Sequence, residues 1–394
     1  NPATEAVISE FHGIDAEQTE EALDAAQKAF QTWSKLSIKE REVYILRFAD
    51  LIVANRDKII QMIIDETGKT YEGADEDYQM LPDCLRYFNE EMKTMPGHML
   101  PDLDNKHVNM IIRKPLGVVV GYLAWNFPLL NLGYKLGPIL ASGCTCILKP
   151  SSQTPLASMY VGELAVQAGI PAGVINIVMG DNKVVGTILN ESPIPQMITL
   201  IGSSATGTHI MRQSATSVKH YSMELGGNAP AVVMSDADVE NAAAKIMGLK
   251  VGNGGQICVA PNRVFVHESV MDEFLRHVSS ILKDVVYCSG KYEGPATQMI
   301  PLSSAKAVAN MEALVADAVS KGAKVYTGGK RHEGKGFFFE PTVLTGVTPE
   351  MRVYQEEIFG PIVPVLSFND QYDIVKMAND TCYGLAAYIY TNDL

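Results

Sequence analysis

Basic residues are scarce beside acidic ones: 32 Lys and Arg stand against 45 Asp and Glu, a formal net charge of −13 at pH 7. Phosphate backbones need positive potential, so nucleic acid is not expected as a partner. The same sign argues against docking on anionic lipid. Long apolar runs are also missing, and no stretch reaches the length of a membrane span. The opening "NPATEAVISE" has no basic flank ahead of an apolar core, so no secretory signal is expected. It lacks an initiator Met, so a few residues are expected to precede it.

Cysteine is sparse and scattered. The six are Cys84, Cys144, Cys146, Cys258, Cys288 and Cys382, in a chain too large to need stapling. They read as reduced thiols of a cytoplasmic protein. "CTC" at 144–146 is not a zinc spacing and has no His or second Cys pair nearby, so no metal is expected. No internal repeat occurs at solenoid periods, and no low-complexity linker divides the chain.

What is present suits an ordinary globular protein. Hydrophobic residues make up 47% and charged residues 20% of 394, a length that favours two domains. "DAEQTEEALDAAQKAFQTWSKL" places Ala22, Ala25, Ala26, Ala29 and Phe30 at helical spacing. "SIKEREVYILRFADLIVANRDKIIQMIIDETGK" reads as two helices, the first capped by Ser37 with Glu40 three residues on. In "HVNMIIRK" the apolar Val108, Met110 and Ile112 alternate with other residues, the pattern of an exposed strand.

From Gly117 the pattern becomes strand, helix, strand, helix. "GVVVGYLA", "CTCILKP", "GVINIVMG" and "QMITLIGS" are strands. "LNLGYKLGPILASG" and "PLASMYVGELAVQAG" are helices ending at Gly143 and Gly169. A second alternating region starts near Val264, with "RVFVHESV", "MDEFLRHVSSILKD", "KAVANMEALVADAVSKG", "AKVYTGG" and "PTVLTGV". Such alternation predicts an α/β fold built on parallel sheets.

Several motifs carry chemistry. "LAWNFP" puts Asn126 in the loop after a parallel strand, where ligands bind and where an amide could meet a developing oxyanion; it could equally close a turn. "ILKPSS" ends a strand on Lys149. "LIGSSATG" is a strand–Gly–helix junction that suits a pyrophosphate, although an ordinary βα turn would look the same. "SMELGGNAP" ends a strand on Glu224, a general base if burial raises its pKa, and otherwise a salt-bridged carboxylate. "VGNGGQICVAPNR" presents Cys258 after three glycines. A lone Cys is often only a small buried residue, but a thiol, an oxyanion donor and a base together make an acyl-transfer set.

In chain order, "WNFP", "LKPSSQTP", "GS" before a helix, "MELGGNAP", "GGQICVAPNR" and "EEIFGP" resemble the aldehyde dehydrogenase superfamily, nearest its succinic semialdehyde dehydrogenase-like group. The resemblance implies a Rossmann-like cofactor domain at 1–103 and 117–227, oligomerisation-arm strands at 104–116, and an α/β catalytic domain at 228–394. It implies NAD(P)-dependent oxidation of an aldehyde, with Cys258 as nucleophile, Asn126 as oxyanion donor and Glu224 activating water. Ala124, Trp125, Lys149, Ser151, Ser152, Gly180, Gly202, Ser203, Leu225, Glu357 and Phe359 would meet the cofactor. Phe127, Asn131 and Tyr134 would face the substrate.

NAD-preferring members commonly carry Glu three residues after the lysine. Here Ser152 stands there, so NADP is expected over NAD. Many succinic semialdehyde dehydrogenases have Arg where Tyr134 stands, and its absence weakens that assignment; a short semialdehyde or hydroxyaldehyde is expected, with an aromatic aldehyde also open. A homodimer or homotetramer is implied. Family members also continue past "YGLAAYIYTND", so further catalytic-domain residues are expected beyond Leu394. Two rivals remain: a coenzyme A-acylating relative, which would generally lack the base Glu, and a non-catalytic binding protein that kept the fold.

Overall fold

Apolar β-branched runs separated by capped helices set up two parallel sheets. The structure is a computed structural model and describes residues 1–393. It divides into two compact units, one of residues 10–62 and 75–224, the other of residues 1–9, 63–74 and 225–394.

The first unit opens with helices Ala16–Trp33 and Ile38–Ala54, both started by capping boxes, from Asp15 with Gln18 and from Ser37 with Glu40. Leu23, Ala26, Ala29 and Trp33 form the buried stripe of the first helix, so the apolar face is rotated slightly from the expected one. Strands β1 (His98–Leu100) and β2 (Asn109–Ile111) pair antiparallel, with every residue exposed. Pairing begins earlier than the expected 104–116. The intervening "DLDNK" is a turn, closed by Asp102 Oδ2 accepting from the N–H groups of Lys106 (2.6 Å) and His107 (2.9 Å).

Strands β3 (Val118–Tyr122), β4 (Thr145–Lys149), β5 (Ile175–Ile177), β6 (Pro195–Ile201) and β7 (His220–Glu224) form a parallel sheet ordered β5-β4-β3-β6-β7. This is a doubly wound order, and its direction reverses at β3. β3 and β4 are covered on both faces, which is why they read as continuous apolar runs. Gly143 and Gly169 follow helices Pro128–Ala141 and Leu156–Gln167 with φ of +82° and +81°, the left-handed conformation that ends a helix.

The second unit holds β8 (Ala229–Val233), β9 (Pro261–His267), β10 (Val285–Tyr287), β11 (Thr297–Met299), β12 (Lys324–Thr327), β13 (Thr342–Thr345), β14 (Ile362–Phe368) and β15 (Tyr388–Tyr390). Six of them form a sheet ordered β12-β13-β14-β9-β8-β15, parallel except for β12 against β13. One face buries Met311, Leu314 and Phe339; the other buries Ala242, Ile246 and Phe274.

The division differs from the expected one in two respects. The chain changes unit at 224/225, before the two glycines rather than after them. Residues 63–74 belong to the second unit because Lys69–Tyr71 ladder with Gly290: Tyr71 N–H donates to the Gly290 carbonyl at 2.9 Å and Gly290 N–H to that of Lys69 at 2.8 Å. Residues 1–9 belong there too, since Phe337 N–H donates to the Pro2 carbonyl at 2.9 Å. Among the described residues no helix is long and apolar enough to cross a membrane, and no His, Cys, Asp and Glu cluster could hold a metal ion.

Candidate active site

In the first unit the expected residues gather at the carboxyl ends of β3, β4, β6 and β7. β3 pairs with β4 so that Tyr122 lies beside Lys149, and Leu123 N–H continues the ladder to the Lys149 carbonyl at 3.1 Å. The loop Leu123–Phe127 then carries Ala124 and Trp125, both half-buried, and Asn126, which is 7% exposed. Pro128 starts the next helix with its φ preset, and Phe127 at the N-cap supplies no side-chain cap. The orphan N–H groups go instead to Asp77, a fully buried carboxylate whose Oδ1 accepts from Leu129 at 3.1 Å and Leu130 at 2.8 Å. A charged acceptor at the positive helix end is favourable twice over, as a hydrogen bond and as a charge against the dipole.

Asn131 is 4% exposed. Its Nδ2 donates to the Ala124 carbonyl at 3.1 Å and lies 3.5 Å from Asn126 Oδ1. Tyr134, one turn on, is 45% exposed and half-buried Phe127 opens the same helix. Lys135 is buried, and that burial lowers its pKa, with Glu224 opposing the shift.

Lys149 Nζ donates to Asn182 Oδ1 at 2.5 Å, so its ammonium is held at the end of β4. Burial lowers its pKa, against the pull of Asp181. Ser151 is half-buried and Ser152 is exposed. Gly180 presses its backbone against Ile14, leaving no room for a side chain. Ser203 caps the helix Ser204–Gln213, accepting from Thr206 N–H at 3.2 Å, so its hydroxyl serves that helix start. Gly202 N–H donates to the Glu224 carbonyl at 3.0 Å, which puts the two residues on adjoining strand ends. Glu224 itself is exposed rather than buried, because β7 is an edge strand of its sheet.

In the second unit the question is what holds Cys258. Helix Val239–Val251 runs into a tight turn in which Asn253, Gly254 and Gly255 all take left-handed φ, at +48°, +62° and +68°. Such φ values favour glycine because an L side chain costs roughly 1–2 kcal/mol there. A side chain at Gly255 would also drive into the Gly360 carbonyl. Gln256, fully buried, ties the turn down: Nε2 donates to the carbonyls of Asn253 (2.9 Å) and Pro301 (3.3 Å), and Oε1 accepts from Ser303 N–H at 2.9 Å. Cys258 emerges half-buried, with Tyr388 Oη donating to the next carbonyl, Val259, at 2.7 Å. The glycine-rich stretch is therefore a fixed turn and not a loose one.

Leu225, Gly226 and Gly227 lead into β8. A methyl at Gly227 would collide with the Cys258 carbonyl, and one at Gly226 with the Glu357 carboxylate. Gly227 N–H donates to Glu357 Oε1 at 3.0 Å. Burial raises the Glu357 pKa, opposed by that N–H and by Lys250. Lys250 is 1% exposed, and burial pulls its pKa down to about 7 with Glu357 opposing. Phe359 follows with φ of +49°, a strained value for a residue with a side chain.

Sequence reasoning did not assign the residues that join these motifs. Asn262 Nδ2 donates to Asn228 Oδ1 at 2.7 Å and to the Glu356 carbonyl at 2.9 Å, and its Oδ1 accepts from Ile358 N–H at 3.0 Å. Asn228 Nδ2 reaches the Tyr354 carbonyl at 2.9 Å. Buried Arg263 donates to the carbonyls of Asn228 (3.0 Å) and Ala378 (2.8 Å). The Asn of "APNR" thus clasps "EEIF", while the Asn of "GGNAP" reaches Tyr354 and Arg263 ties Asn228 to Ala378, which accounts for the polar Asn262 and Arg263 inside an apolar strand. Their signal was that misfit in polarity.

A comparison with known families decides the assignment: the aldehyde dehydrogenase family profile matches residues 1–394. The chain belongs to the aldehyde dehydrogenase family.

This aldehyde dehydrogenase is 40% identical over 394 residues to the mitochondrial succinate-semialdehyde dehydrogenase of Arabidopsis thaliana, covering 100% of this chain and 74% of the plant protein. It is 38% identical to the succinate-semialdehyde dehydrogenase [NADP(+)] GabD of Escherichia coli strain K12, covering 100% of this chain and 81% of that one. A solved structure of 3,6-anhydro-L-galactose dehydrogenase in complex with NAP superposes with a TM-score of 0.94 at 40% identity, over 100% of this chain and 83% of the other. The α/β fold expected from the sequence is that of the family.

Proposed function

We propose that this aldehyde dehydrogenase is a cytoplasmic, NADP-using enzyme that oxidises a short semialdehyde or hydroxyaldehyde to its carboxylic acid through a thioester on Cys258. The observation that carries the reading is the left-handed turn 253–255, which presents a half-buried thiol on a backbone held by Gln256 and Tyr388. A catalytic nucleophile needs that fixity, since misplacement by about 1 Å can cost roughly 10²-fold.

Cys258 Sγ, as thiolate, bonds to the aldehyde carbon while the carbonyl π pair moves to oxygen. The Asn126 amide and the Cys258 N–H would stabilise that oxyanion. NADP, which Lys149 and Glu357 would hold, would supply the acceptor for the hydride that leaves the same carbon. The acyl group then remains on sulfur as a thioester. Glu224 takes a proton from water as it adds to the acyl carbon; the C–S bond breaks and the thiolate returns. The burial on which this role was conditioned is absent at the exposed end of β7, so the role rests on the family resemblance and on the carboxylate's access to water.

The cofactor residues fit their assignment at several points. Lys149 is a buried cation at a strand end, and the helix after Ser203 opens at the carboxyl end of β6. Ala124, Trp125, Gly180, Gly202, Leu225, Glu357 and Phe359 complete the proposed set, with Glu357 on the nicotinamide ribose. Ser151 and Ser152 beside Lys149 carry no negative charge to repel a 2′-phosphate, and the similarity to NADP(+)-named relatives supports the same choice. Tyr134 is neutral and exposed, which favours a substrate without a distal carboxylate, or one held by a hydroxyl.

The exposed hairpin β1–β2, with Met99, Val108, Met110 and Ile112 facing outward, supports a homodimer or homotetramer. All six cysteines are free, which fits a reducing compartment. Glu224 distinguishes this reading from coenzyme A acylation. Acid forming from aldehyde and NADP with coenzyme A omitted is the expected result, and acid formation that depends on coenzyme A would overturn it.

A further inference from the structure

We propose that Asn131 is a positioning residue for the reaction, holding the amide of Asn126 with its oxygen end toward the helix and its nitrogen end toward the developing oxyanion. The proposal rests on the role of Asn126 given above. It replaces the expectation that Asn131 faces the substrate.

Asn131 lies in the first turn of helix Pro128–Ala141, among Leu129, Leu132 and Leu136, all fully buried. Asn is a poor helix former, and a buried amide without partners is costly. Leu or Met would fill the position without that cost. The polar side chain is accounted for by the loop it addresses. Its Nδ2 carries two hydrogens; one reaches the Ala124 carbonyl at 3.1 Å and the other points to Asn126 Oδ1 at 3.5 Å.

That second contact discriminates between the two ends of the Asn126 amide. Turning the Asn126 amide over would set two NH2 groups against each other, donor to donor. Asn131 therefore selects the orientation in which Asn126 offers Nδ2 on its other side. The support behind Asn131 is stiff: its own N–H donates to the Phe127 carbonyl at 2.9 Å, and Asp77 holds the N–H groups of Leu129 and Leu130. At 3.5 Å the contact with Asn126 stands at the outer limit of a hydrogen bond, and it would shorten as charge polarises the amide at its nitrogen end.

Two variants test this in the full chain. Asn131→Asp keeps the shape but reverses the demand, since a carboxylate accepts where the amide donated and would draw Asn126 Nδ2 toward itself. Asn131→Met keeps apolar packing and removes the clamp. Both are expected to lower kcat by roughly 10–100-fold, Asp more than Met, because a displaced donor loses part of the roughly 10²–10³ that a deleted one costs. KM for the aldehyde and Kd for NADP should move less than about twofold. In the Asn126→Ala background the residual rate should not fall further, because the group being positioned is gone. A second loss of equal size in that background, or full activity in both single variants, would overturn the proposal. An active Asn126→Ala enzyme would instead overturn the underlying role of Asn126.

Discussion

Gly227 N–H donates to Glu357 Oε1 at 3.0 Å, and the Cα of the same glycine packs on the Cys258 carbonyl so closely that no Cβ fits between them. One residue thus spaces the proposed nucleophile from the proposed ribose-binding carboxylate. Gly227→Ala should push both apart. Overpacking of this kind costs about 1–3 kcal/mol, and the displacement should lower kcat/KM by at least roughly 100-fold. Steady-state kinetics beside a thermal melt would check it; near-normal kcat/KM would show that the spacing does not matter.

Lys250 gives a pH dependence with a definite sign. Its native pKa is about 7, below the ordinary lysine value of 10.5, because the ammonium is buried. Between those two values the unfolded chain holds a proton that the native state has released, so stability from this group rises with pH across that window. Below about 7 both states are protonated and the burial penalty is complete. Lys250→Met should therefore raise Tm most near pH 6–7, with the gain shrinking toward pH 10. Melts at a series of pH values would show it, and a gain that grows with pH would contradict the sign.

Asp77 caps a helix from 52 residues away, a relation no local pattern discloses. Asp77→Ala leaves two N–H groups of the first turn without that acceptor and should cost about 1–3 kcal/mol, whereas Asp77→Asn keeps an acceptor oxygen and should cost less. Chemical denaturation of the two variants measures the difference. Equal losses would mean that Asp77 acts by charge and not by capping.

Ser152 is exposed three residues after Lys149, and in the proposed cofactor site a carboxylate there would grip ribose hydroxyls and repel a 2′-phosphate. Ser152→Glu should shift the ratio of kcat/KM for NADP to NAD toward NAD by at least roughly tenfold. An unchanged ratio would remove Ser152 from the account of cofactor choice.

Much of this was legible in the sequence, because local chemistry announces itself locally. The Ser37–Glu40 capping box, the left-handed glycines after two helices, and the apolar runs of β3 and β4 all follow from short-range patterns. The site motifs were legible as motifs. Their supports were not. Asn262, Asn228 and Arg263 join segments about a hundred residues apart, and Asp77 meets its helix only after the chain has folded. Burial at strand ends also depends on sheet order. Sequence leaves open whether Glu224 is buried, and its exposure follows from β7 being an edge strand, which "SMELGG" alone does not disclose. The capture of residues 63–74 by the second unit depends on a bridge to Gly290, far along the chain.

In the proposed mechanism Cys258 becomes acylated during turnover. Intact-protein mass spectrometry of Glu224→Gln, mixed with aldehyde and NADP and quenched within seconds, tests it most directly. An added acyl mass is expected, which peptide mapping places on Cys258 and which is absent from Cys258→Ala. Substrate oxidised by Cys258→Ala at the wild-type rate, or an adduct on another residue, would contradict it.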